Sequence, residues 1–272
     1  MTRRYGPLHE HPGVAPCPSP PGGADAAASS SPVAARERVN EKDGTVLVFV
    51  PGGLYQVGAD DLTEQDRPVH QVRLSPYWIA KVPVTNEQYS RFMQANPGYR
   101  RPGFWSEEIF NRPNQPVVGV SWEDAQAYCK WAGLTLPSEA QWEAAARGTD
   151  GRRYPWGDTP PNDELANFGG AKGRTTSVGQ YPAGSGPFGT LDQIGNVCEW
   201  CADILDAEVY RKREDGMLDP VVTQGEPFRV MRGGSWLDKS EDLPAALRFR
   251  YWPRLRRRFI GFRCGMPAGP DD

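Results

Sequence analysis

Apolar and polar positions along the chain change period several times, and each change predicts an element. Residues 45–53, TVLVFVPGG, form an apolar run cut off by Pro-Gly-Gly, which predicts a strand entering a turn. In HQVRLSPYWIAKVPVT, residues 70–85, apolar and polar positions alternate well enough for a strand pair. The period then lengthens. Thr85 reads as a helix N-cap, NEQYSRFMQAN carries apolar residues at helical spacing, and Pro97-Gly98 stops it. A second helix opens at Ser121, where Ser121 and Asp124 make a capping box, and closes at Gly133. A third follows Pro137, with Ser138 and Gln141 as its capping box and Gly148 as its end.

From Thr149 onward the pattern breaks into turn-forming runs: YPWGD, ANFGG, PAGSGPFG and RGGSW. Two or three early helices followed by short antiparallel strands in long loops predict an α+β domain. Residues 1–42 stand apart. PCPSPPGGADAAASSSP has few large apolar side chains, so burial cannot offset the entropy of ordering it. The expected organisation is a disordered leader over 1–42, one domain over 43–268 and a short tail over 269–272.

Composition sharpens this reading. With 30 Gly and 27 Pro the chain is built on turns, and its nine Trp imply a core of large rings. A net charge of −3 excludes a general polyanion binder, so any nucleic-acid contact would be local. No apolar run approaches a signal peptide or a membrane span. The five cysteines are Cys17, Cys129, Cys198, Cys201 and Cys264, an odd number in a chain too large to need staples. Together these predict a reduced, cytoplasmic protein without a membrane partner.

The runs also occur in a recognisable order. VPGGLYQVGAD, RPVHQVRLSPYWIAKVPVTNEQYSRFM, PVVGVSWEDAQAYCKWAGLTLPSEAQWEAAARG, YPWGD, GPFGTLDQIGNVCEW, RVMRGGSW and IGFRC cover about residues 45–266. In this the chain resembles the formylglycine-generating enzyme, or sulfatase-modifying factor, family. The resemblance implies a variant of the C-type lectin fold. It also implies a comparison of active sites. The family's enzymes oxidise a sulfatase cysteine with copper(I) held by two thiolates beyond a Gly-Gly-Ser-aromatic turn, and soft sulfur suits that ion. Aligned on Gly233-Gly234-Ser235-Trp236, those positions hold Asp238 and Leu243. No copper and no catalytic residues are therefore expected. Iron-dependent relatives use histidines, but only His9, His11 and His70 are present here, without ligand spacing.

Two further features invite chemistry. Asp192, Gly195, Val197 and Glu199 match the positions at which the family holds a structural calcium, with two carboxylates and two carbonyls as ligands. The bland alternative is a turn with solvated acids. Cys198-Glu-Trp-Cys201 reads either as a redox dithiol, as half a metal site lacking a second pair, or as two small core residues, and the last is favoured because the resemblance puts a large buried aromatic where Cys198 stands. Glu139, Glu143 and Arg147 follow i, i+4 spacing, and ion pairing on an exposed or half-buried helix accounts for them. Trp122, Trp142, Trp156, Trp200 and Trp236 read as core.

LRFRYWPRLRRRF, residues 247–259, interleaves six arginines with four aromatic rings. Such a mixture can track phosphates, but it is also the composition of protein-binding hot spots and paratopes. Variable proteins of diversity-generating retroelements resemble this chain over the same fold and diversify the segment between RGGSW and GFR. The resemblance implies a ligand-binding surface of Trp236, Asp238, Lys239, Glu241, Leu247, Phe249, Tyr251, Trp252, Arg254, Arg256, Arg257 and Phe259. A protein or small-molecule ligand is the expected partner. The runner-up is a sulfatase-activating or related oxidase with an altered metal centre.

Overall fold

Val46–Val50 (β2), the apolar run ended by Pro51 and Gly52, forms one of two central strands of a four-stranded sheet in a computed structural model that describes residues 36–272. The sheet runs Glu37–Val39 (β1), β2, Tyr77–Ala80 (β5), Gly265–Pro267 (β11), antiparallel throughout. Strand β1 corrects the expected leader boundary, because residues 37–39 pair with β2. The Arg36 and Arg38 guanidinium groups also lie 4.3 Å from the Phe49 ring and 5.4 Å from the Trp78 ring. The leader's residues 1–35 lie outside the described residues. The expected tail is tied down too, with Trp78 Nε1 donating to Asp272 Oδ2 at 2.9 Å.

The alternating stretch 70–85 does yield two strands, but they do not pair. His70–Leu74 (β4) joins Gly53–Val57 (β3) and Met217–Leu218 (β7) in a second sheet, while β5 joins β2. Pro76 sits between them, with no backbone donor to close a tight hairpin. A third sheet runs Ile260–Gly261 (β10), Cys198–Ile204 (β6), Arg229–Arg232 (β8), Phe249–Tyr251 (β9). Pairing is mostly antiparallel, but β10 with β6 and β4 with β7 are parallel.

All three helices form where the caps predict. Thr85, Ser121 and Ser138 each accept from the third helical amide of Asn86–Ala95 (α1), Trp122–Ala132 (α2) and Glu139–Arg147 (α3), and each box is reciprocal. Gly133 closes α2 in the left-handed region at φ 74°. Helices α1 and α2 bring Tyr89, Phe92 and Tyr128 onto the largest core cluster, with Trp78, Trp200 and Phe262. Helix α3 differs from its sequence expectation. Ala140, Ala144 and Ala145 pack against β2–β5, while Trp142 and Ala146 pack against β6 and β8, so it is buried on nearly all sides. Its small side chains let elements approach closely on both faces. Consequently Glu139 and Glu143 are fully buried, not exposed or half-buried ion-pair formers.

Candidate functional site

The 236–259 segment divides into a buried and an exposed set. Trp236 is 3% exposed and packs with Phe110, Val118 and Val197, so it is core and not a ligand platform. Its indole Nε1 donates to the Arg258 carbonyl at 3.2 Å, which fixes the chain beneath the arginines. Leu247 is half-buried, and its carbonyl accepts from Arg232 Nη1 at 2.8 Å. Phe249, Tyr251 and Phe259 are half-buried against the main core, the last two edge to face at 6.0 Å.

Trp252, at 52% exposed, is the large ring that reaches solvent, braced by Phe228 at 4.6 Å. Arg250, Arg254, Arg257 and Arg258 are exposed, Arg250 pairing with Glu226 at 3.9 Å, and Lys239 and Glu241 are exposed and pair at 3.7 Å. Arg256 is half-buried. It forms an ion pair with Asp124 of the α2 capping box and donates from Nη1 to the Arg101 carbonyl at 3.1 Å. Thus Asp124 both caps a helix and anchors the arginine loop. Arg100 and Arg101 are exposed beside that anchor and extend the basic face.

The Gly-Gly turn is dictated by packing. Gly233 has φ 92°, and a Cβ there would stand 2.3 Å from the Gln193 carbonyl oxygen and 3.0 Å from the Trp142 ring. Beyond it, Ser235 Oγ donates to Asp238 Oδ2 at 2.6 Å. Burial raises the Asp238 carboxyl above its usual range, while the Ser235 hydrogen bond opposes the shift. Leu243 is fully buried beside Trp142 and Cys201. These two positions offer one hydrogen-bonded carboxylate and one alkyl group, which do not fit copper(I).

The pattern of sheets, caps and turn matches known proteins. A family model, the sulfatase-modifying factor enzyme 1-like domain, matches residues 31–266. The chain belongs to the sulfatase-modifying factor family. A formylglycine-generating enzyme of Streptomyces coelicolor is 33% identical, covering 89% of this chain and 97% of its own. The serine/threonine-protein kinase Pkn1 of Chlamydia trachomatis is 36% identical over 241 residues, covering 81% of this chain. The match spans only 38% of that relative's length. Among solved structures, PvdO from Pseudomonas aeruginosa aligns at TM-score 0.73 and 25% identity, over 86% of this chain and 98% of PvdO. Treponema denticola variable protein 1 aligns at TM-score 0.66 and 23% identity, over 86% and 99%, and shows the shared C-type lectin-like fold.

In this member of the family the loop 192–199 is organised by an arginine. Glu199 Oε2 accepts from Arg263 Nε at 2.6 Å and from Trp142 Nε1 at 2.8 Å, and Oε1 accepts from Arg263 Nη2 at 2.8 Å. Asp192 Oδ2 accepts the Gly179 amide at 2.5 Å. Burial pushes the Asp192 carboxyl up to about 6, with Glu199 adding to the rise while the Gly179 amide and Arg263 oppose it. Gly195 donates its amide to the Gly233 carbonyl at 2.9 Å, and Val197 packs on Trp236. Only Asp192 offers a carboxylate without a contacting cation. Glu199 is already paired with Arg263, so the two carboxylates of the expected calcium set are not equally available. Among the described residues no group of three or more His, Cys, Asp or Glu side chains is placed to hold a metal.

Cys198 and Cys201 are both buried in β6, Cys198 in the main core and Cys201 beneath Trp142. Burial pushes both thiols well up, so they behave as the small core residues that the sequence favours. Sequence reasoning missed a buried charge network. Arg248 Nε and Nη2 donate to Glu139 at 2.8 and 3.2 Å, and Arg232 and Arg147 both grip Glu143. Burial alone would raise the Glu143 carboxyl, but Arg232 and Arg147 outweigh it and hold it below the usual range. Arg248 is thus a core residue inside an otherwise surface-facing basic run. The signal available was its partner helix, with two glutamates among alanines.

Proposed function

We propose that this chain is a non-catalytic member of the sulfatase-modifying factor family that holds an acidic protein partner on the face around Trp252. The observation that carries the reading is the division of one segment. Positions aligned with the copper thiolates are Asp238, hydrogen-bonded to Ser235, and buried Leu243, while Arg254, Arg257 and Arg258 are exposed on a braced backbone. Trp252 supplies a rigid anchor, and Arg254, Arg257 and Arg258 supply forked donors for carboxylates. Arg256 is spent on Asp124 and shapes the loop without contacting the partner.

Kinship with a formylglycine-generating enzyme supports the second reading, an oxidase with an altered metal centre. It is weakened by the placement of Cys198 and Cys201, whose side chains enter different core clusters. Diversification of the 236–259 segment would be a special case of the binding reading, and a template copy of its coding sequence beside a reverse transcriptase gene would establish it. The deciding experiment pairs two assays on the purified chain. Binding reads as loss of an acidic partner's capture in Trp252→Ala with Arg254→Ala, with the fold retained. Turnover of a Cys-x-Pro-x-Arg peptide after copper(I) loading would overturn the non-catalytic reading.

A further inference from the structure

A cavity of about 240 Å³, whose lining shares no residue with the Trp252 face, lies between residues 112–115 and the loop 172–180. Its lining includes Arg112, Lys172 and Arg174 and no carboxylate. Among the described residues, none of these three cations enters an ion pair. The cavity near Arg147 and Arg153 provides a contrast, because its lining contains Asp61 and Asp158, and Arg153 pairs with Asp61 at 2.5 Å.

The walls are held by buried amides. Gln115, 2% exposed, donates from Nε2 to the Thr175 carbonyl at 2.7 Å, and its Oε1 accepts the Arg112 amide at 3.0 Å. From the other side, Asn196 Oδ1 accepts the Thr176 amide at 2.9 Å, and Asn167 Nδ2 donates to the Arg174 carbonyl at 3.0 Å. The backbone carrying Arg112, Arg174 and Thr176 is therefore fixed before any ligand arrives. A concave wall bearing three like charges and no carboxylate concentrates positive potential. Guanidinium forks match the oxygen spacing of phosphate, and an ammonium adds charge without fixed geometry.

We propose that this cavity binds a phosphate group, free or as the monoester of a small molecule. Arg112 and Arg174 grip its oxygens, and Lys172 neutralises the remaining charge. The site is independent of the partner-binding face, and its failure would leave that reading intact.

The test is titration calorimetry of the full chain with inorganic phosphate and with glycerol phosphate, at constant ionic strength against chloride. One phosphate per chain is expected. Affinity should fall at least tenfold in R112Q/K172M/R174Q. R254A/R257A should bind phosphate as the parent does. Tighter binding of glycerol phosphate would identify a carried group as the ligand, and preference for inorganic phosphate a free ion. Heats equal to those of chloride, undiminished affinity in folded triple variant, or loss of affinity in R254A/R257A instead would each overturn the proposal.

Discussion

Arg263 closes a two-pronged ion pair on Glu199, Nε to Oε2 at 2.6 Å and Nη2 to Oε1 at 2.8 Å, with neither side chain exposed. The same guanidinium donates to the carbonyls of Ala80 and Leu191, at 3.0 and 2.8 Å. One residue thereby ties β5, the 191–199 loop and the chain leaving β10. Removing one partner of such a pair strands a buried charge, which costs about 3–5 kcal/mol. Arg263→Met is therefore expected to lower unfolding free energy by several kcal/mol in denaturant titration. Lys239→Ala, which breaks an exposed pair, should change it by less than about 1 kcal/mol.

Within the basic run, neighbours should behave oppositely. Arg248 is 1% exposed and bound to Glu139, whereas Arg250 is exposed. Arg248→Ala should yield destabilised or insoluble protein, by the same buried-charge argument. Arg250→Ala should keep its melting temperature to within a few degrees, which thermal melts of the two variants would check.

The pH dependence of Asp192 has a definite sign. Its folded carboxyl is raised to about 6 from an ordinary value near 4, chiefly by burial. Between those values the folded chain holds the proton that the unfolded chain releases, so this group's stabilising contribution is lost as pH rises through about 6. Asp192→Asn should remove that dependence. Relative to the parent it should gain up to about 2 kcal/mol between pH 4 and pH 8. Denaturant midpoints measured across that range would reveal it. A parent that instead gains stability over the same range would show a cation neutralising Asp192.

Chelation tests the same loop without mutation. Because Glu199 is neutralised by Arg263, added calcium or a calcium chelator should each leave the melting temperature unchanged. A calcium-dependent rise of several degrees would mean that the Glu199–Arg263 pair rearranges around an ion.

The four described cysteines are buried, and burial pushes the Cys198, Cys201 and Cys264 thiols up. Cys129 and Cys264 touch at 3.3 Å between sulfurs, beyond a bonded distance of about 2.05 Å. The native chain should resist iodoacetamide at all four, and the denatured chain should react at all four, as read by peptide mass spectrometry.

What was legible in the sequence is what depends on neighbours a few residues apart. The Thr85, Ser121 and Ser138 boxes connect side chain and amide three positions away, so four letters of sequence suffice to place each helix start. The turn residues and the order of motifs likewise identified the family and its fold, and showed Asp238 and Leu243 where thiolates would be needed. The tertiary structure alone decided burial and pairing. Glu199 meets Arg263 across 64 residues, Glu143 meets Arg232 across 89, and Glu139 meets Arg248 across 109. No periodicity encodes such separations, and an arginine reads identically in sequence whether it faces a partner or a buried glutamate. The same holds for β4 and β5, whose alternation predicts strands but leaves open which neighbours satisfy their hydrogen bonds. That choice depends on how three sheets close around one alanine-rich helix.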